Sequence, residues 1–152
     1  MENKWFGMND SSNEDPIKVY AKKVEINRAK LSNQFEDVTH MVFGIITELG
    51  ELLDIFKKYM AYGKPVDWVN VKEEMGDIMW YFIGLCNVLE LDFWDILDTN
   101  MRKLDTRYKN GFTKEEAHNR DLKSERVVLE GKSKLEILTE VNPSGWMEEH
   151  NK

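Results

Sequence analysis

Between residues 71 and 89 the apolar side chains fall at Val71, Met75, Ile78, Phe82, Leu85 and Leu89, in alternating steps of four and three. That rhythm keeps one stripe of a helix turned toward neighbouring helices, and a strand, whose side chains switch face at every residue, cannot satisfy it. A second stripe runs through Val42, Ile45, Leu49, Leu52 and Phe56, predicting a helix over about 37–62 that Gly63-Lys64-Pro65 ends and from which Asp67, as a cap, starts the next. Asp15 followed by Pro16 opens an earlier helix carrying Ile17, Tyr20, Val24, Leu31 and Phe35, faltering near Ser32-Asn33. A fourth helix is expected over about 92–108, with Leu97, Met101, Leu104 and Tyr108. The pair Thr113 and Glu116 has the spacing of a capping box for a short fifth. The expected class is all-α, a four-to-five-helix bundle. Residues 1–15 read as a polar lead, 16–126 as one helical domain and 127–152 as an extension. In that extension Val127-Val128-Leu129 and Leu135-Glu136-Ile137-Leu138 suit short strands or a helix, and Asn142-Pro143-Ser144-Gly145 suits a turn.

Composition narrows the function classes. A chain of 152 residues that is 41% hydrophobic can supply one core. The lone cysteine, Cys86, excludes an internal disulfide framework, and its apolar neighbours mark it as a core residue. The longest apolar run, residues 78–86, is far shorter than a bilayer span, and Met1-Glu2-Asn3-Lys4 lacks the pattern of a signal peptide. A cytoplasmic protein without membrane attachment is expected. A net charge of -7 argues against nonspecific nucleic-acid binding. It leaves anionic small substrates open, because carboxylates that hold divalent cations become locally attractive to phosphate.

Two acid pairs carry the chemistry: Glu48-Leu49-Gly50-Glu51 and, on the following helix, Glu74-Met75-Gly76-Asp77. Spacing alone is weak, since 28 acids in this length produce about five i,i+3 pairs by chance. Placement on the helix is stronger. Glu48 shares its face with Met41, Gly44, Leu52 and Ile55, and Glu74 shares its face with Ile78 and Leu85. Glu51 lies toward a polar flank with His40, Thr47 and Lys58, and Asp77 lines up with Asn70, Tyr81 and Gly84. Four inward carboxylates would raise one another's pKa unless a cation bound among them. Oxygen-only ligands favour Mg2+, with Mn2+ as a substitute. Gly50 and Gly76 each weaken their helix by about 1 kcal/mol against alanine, for which close approach of backbone or ligand is the expected return. A di-iron bundle would need two Glu-x-x-His units on facing helices, and only Glu115-Glu116-Ala117-His118 has that spacing.

These residues, with those downstream, resemble the MazG-like all-α nucleoside triphosphate pyrophosphohydrolases. The similar elements run in order from residue 44 to 126. They are Thr47-Glu48-Leu49-Gly50-Glu51-Leu52-Leu53-Asp54, Lys57-Lys58, Tyr62-Gly63-Lys64-Pro65, Glu73-Glu74-Met75-Gly76-Asp77 and Trp80-Tyr81. Asn100-x-x-Lys103-Leu104, Arg107-Tyr108, Gly111-Phe112 and Asn119-Arg120-Asp121 follow.

The resemblance implies cleavage of a (d)NTP, a deoxynucleotide by preference, to (d)NMP and pyrophosphate by metal-activated water attack at the α-phosphate. It also implies a bundle completed as a homodimer or homotetramer. On it, Glu48, Glu51, Glu74 and Asp77 are expected as metal ligands. Glu48 or Glu51, with Glu73 behind them, is expected to take the water's proton. Asn100, Lys103 and Arg107 form one stripe on the fourth helix and are expected on phosphates, supported by Lys58 and Arg120. His40 and Tyr81 are expected near sugar or base. The competing class is a non-catalytic nucleotide-sensing or interaction protein that keeps the same fold.

Overall fold

The computed structural model describes residues 14–131, and among these the chain is all-helical, with six helices and no strand. They are α1 (Pro16–Asn27), α2 (Gln34–Tyr62), α3 (Trp68–Val88), α4 (Phe93–Arg107), α5 (Lys114–His118) and α6 (Leu122–Leu129). The chain divides between Phe93 and Trp94 into two compact units.

In the first unit, α2 and α3 pack along one another and α1 lies against α3. The helix ends follow from local chemistry. Asp15 Oδ1 accepts from the Ile17 amide at 2.9 Å, with Pro16 at the first helical position. Asn33 caps α2 by accepting from the Glu36 amide and donating to the Glu36 carboxylate, both at 3.0 Å. Gly63, at φ 64°, closes α2 in the left-handed region, its amide on the Tyr59 carbonyl at 3.1 Å. Asp67 caps α3 through the amides of Val69 and Asn70.

Three expectations change here. The first helix ends at Asn27, so Leu31 and Phe35 are not on it. Arg28 turns extended and its guanidinium grips Glu25 (2.7 Å) and Asp37 (3.2 Å), which fixes a link between α1 and α2; a continuous helix would keep Glu25 beside it but would carry Asp37, nine residues on, out of reach. The packed stripes of α2 and α3 are rotated from the stripes of large apolar residues. Met75 is 59% exposed and Leu49 48%, whereas Met41, Gly44, Glu74 and Gly84 are buried. The helices approach where side chains are smallest. A Cβ on Gly44 would run into the Tyr81 ring, and one on Gly84 into the Met41 sulfur. Polar bonds fasten the same unit: Gln34 Nε2 donates to the Val88 carbonyl (3.0 Å) and Asn87 Nδ2 to the Ala21 carbonyl (2.9 Å).

The third change lies in the second unit. Residues 127–129 are helical, part of an α6 that Asp121 caps through the Ser124 amide (3.1 Å) and hydroxyl (2.7 Å). Among the described residues there are six helices where four or five were expected, and the expected boundary at 126/127 falls inside the last of them. The segments at 135–138 and 142–145 lie outside the described residues. Thr113 caps α5 as expected, accepting from the Glu116 amide at 3.1 Å.

Candidate active site

Glu48 projects from the middle of α2 and Glu74 and Asp77 from the first half of α3. One carboxylate oxygen from each lies within 4.8 Å of the others. The packing that brings them together is the Gly44–Tyr81 contact one turn away on both helices. The four acids are graded rather than uniformly inward: Glu74 is 7% exposed, Glu48 half-buried, and Glu51 and Asp77 exposed. Burial pushes the Glu74 carboxyl above the usual range, and the charges of Glu51 and Glu48, with a hydrogen bond to Glu48, push it the same way. No ion pair among the described residues neutralises Glu48, Glu51, Glu74 or Asp77. A buried carboxylate among like charges, without a cationic side chain, fits a divalent cation of the oxygen-seeking kind. No histidine belongs to the group, which sets it apart from a di-iron site.

Glu51 stands beside this trio. With Glu74 it lines a cavity of about 430 Å³, whose wall from α2 includes Thr47, Gly50, Asp54 and Lys58 and from α3 Asn70. Lys57 and Lys58 both pair with Asp54 and hold its carboxyl well down, at about 2. Apart from the helix's own backbone, nothing among the described residues lies within 4 Å of a Cβ built on Gly50 or on Gly76. The close backbone approach expected at these two glycines is therefore absent within the described residues; it occurs at Gly44 and Gly84.

The expected substrate residues divide between the units. Lys58 lines the cavity. Tyr81 packs over Gly44, meets Trp80 edge-on at 4.9 Å and His40 edge-on at 6.0 Å, and His40 keeps a buried Nδ1 without a partner. In the second unit Lys103 Nζ donates to Asn100 Oδ1 at 2.8 Å. Arg107 and Arg120, expected on phosphates, are both fixed on one carboxylate instead. Arg107 donates to Glu125 at 2.8 and 2.7 Å, and Arg120 at 3.2 and 2.6 Å. The Glu125 side chain is 4% exposed, and the two guanidiniums hold its carboxyl down to about 2.

Sequence reading passed over four residues here. Asp54 and Asn70 line the cavity, and both were detectable, since Asn70 shares a helical face with Asp77 and Asp54 follows Glu51 by three. Glu125 sits three residues from Leu122 and Val128, the mark of an acid on an apolar face. Tyr20 of α1 gave no such signal; burial, then the Asp77 charge, pushes its hydroxyl pKa up.

Residues 36–112 match the MazG nucleotide pyrophosphohydrolase domain, which takes in all four acids and Lys58, Asn100, Lys103 and Arg107 and stops short of Arg120 and Glu125. The Gene 37 protein of Mycobacterium phage L5 is 27% identical over 95 residues, covering 58% of this chain and 81% of that protein. No solved structure matches.

Proposed function

The chain belongs to the MazG nucleotide pyrophosphohydrolase family, and from that premise we propose that it hydrolyses a deoxynucleoside triphosphate to the monophosphate and pyrophosphate with magnesium. The observation that carries this reading is the convergence of Glu48, Glu74 and Asp77 within 4.8 Å with no cationic partner. These three hold the ion. Bound magnesium supplies polarisation of the α-phosphoryl group, a water of lowered pKa and charge neutralisation at the leaving pyrophosphate. Glu51 stands outside the three-oxygen group and on the cavity wall, which suits it to accept the proton of the attacking water, with Glu48 the other candidate. Lys58, on the same wall, supplies positive charge to the phosphates. Tyr81, one turn beyond Asp77 on α3, and His40, two turns before Glu48 on α2, are assigned to sugar and base on this reading.

The protein works as a homodimer or homotetramer on this reading. Its support is the amount of large apolar surface left open on α2 and α3: Phe43 62%, Ile46 59%, Leu53 67%, Val69 75% and Met75 59% exposed.

Pyrophosphate release from a panel of triphosphates tests the proposal. Turnover that needs magnesium and falls at least about a hundredfold in Glu51→Gln is the expected result. Full activity in that variant would remove Glu51 from the chemistry.

A further inference from the structure

Four glycines lie inside the long helices, and two of them are explained by the chain itself. Gly44 makes room for Tyr81 and Gly84 for Met41. Gly50 has no such explanation. It sits in the middle of α2, where glycine weakens a helix relative to alanine, its φ is helical rather than left-handed, and apart from the helix's own backbone no atom of the described residues lies within 4 Å of where a Cβ would be. Alanine would fit and would make a firmer helix. Gly50 also forms part of the wall of the cavity of about 430 Å³, which Glu51, Lys58, Asn70 and Glu74 line as well. A cavity wall stripped to bare backbone next to a cation site and an ammonium group suits a chain of phosphates that must lie close.

We propose that Gly50 is the floor of the polyphosphate subsite: the triphosphate lies against the α2 backbone there, and a side chain at this position would lift it away from Glu51, Lys58 and the metal. The inference rests on the pyrophosphohydrolase reading and adds a contact residue to it. Because no contact among the described residues needs the glycine, stability and binding should move in opposite directions, an outcome that a purely structural glycine cannot give.

The test uses the full chain, with Gly50→Ala and Gly50→Leu, and reads thermal unfolding, Mg2+ binding alone, and binding of α,β-methylene deoxynucleoside triphosphates with Mg2+ by calorimetry. Gly50→Ala should raise the Tm by about 3 °C, keep Mg2+ affinity within about twofold and weaken analogue binding at least about tenfold, with Gly50→Leu weaker still. A lowered Tm in Gly50→Ala would show that the chain itself requires the glycine and would overturn the inference. So would analogue binding retained in full by that variant while the wild type binds, an outcome that leaves the pyrophosphohydrolase reading standing. A wild-type protein that binds no analogue would overturn both.

Discussion

Glu74 is the residue on which the site turns, because it is the most buried of the four acids, has acids around it and makes no ion pair among the described residues. Its raised pKa means that the ionised form is disfavoured by folding, so in the absence of metal the site is a burden on the fold that a cation relieves. Glu74→Gln keeps the shape and removes the charge. It should raise the Tm of the metal-free protein, abolish the rise that Mg2+ gives the wild type, and abolish turnover. Unchanged stabilisation by Mg2+ in this variant would place the ion elsewhere. Gly44 is the residue that holds α2 and α3 at the right distance. Gly44→Ala drives a methyl into the Tyr81 ring, and overpacking outweighs the gain in helix propensity, for a net loss of about 1–2 kcal/mol by urea unfolding. Activity should fall with it, since the same contact sets the spacing of Glu48 from Asp77.

At the scale of the elements, the capped starts of α1, α3 and α5 were legible in the sequence, the end of α1 was not, and the helix faces were only partly so. Asp15, Asp67 and Thr113 cap where their residue type and spacing place them, because a cap is decided by atoms within three residues of itself. Faces are decided by the partner helix. Counting large apolar residues pointed α3 through Met75 and Leu89, and the pairing of Gly44 with Tyr81 and of Gly84 with Met41 turned it elsewhere. The placement of Glu48 with Met41 and Gly44 survived, since it rested on position and not on residue size. In the second unit α6 is tied to α4 by the clamp of Arg107 and Arg120 on Glu125; sequence reading placed both arginines on phosphates, with tying down the fifth helix as the alternative for Arg120. The Glu125 carboxyl sits near 2 when folded against an ordinary 4.5, so its contribution is fully present above pH 4.5 and is lost as pH falls toward 2. Glu125→Gln should lower the Tm at neutral pH and flatten its fall between pH 4.5 and 2. Arg126→Ala, which breaks an exposed pair with Glu130, should move the Tm by no more than about 1 °C.

At the scale of the whole molecule, all-α architecture was legible because every long segment repeats at three and four residues. The carboxylate group was legible because acids on an apolar face have few other reasons to be there. The quaternary arrangement was expected from resemblance, and the open apolar side chains of α2 and α3 give it a physical basis. Light scattering should return a mass of two or four times 17.9 kDa, and Leu53→Glu, in the exposed stripe, should lower it; a monomer at micromolar concentration would contradict that proposal. The central claim is the reaction, and its most direct test is turnover of deoxynucleoside triphosphates in water enriched in 18O with magnesium present. The expected result is pyrophosphate and monophosphate in equal amounts with the label in the monophosphate. Label in pyrophosphate, release of orthophosphate, or no turnover of any triphosphate would contradict it.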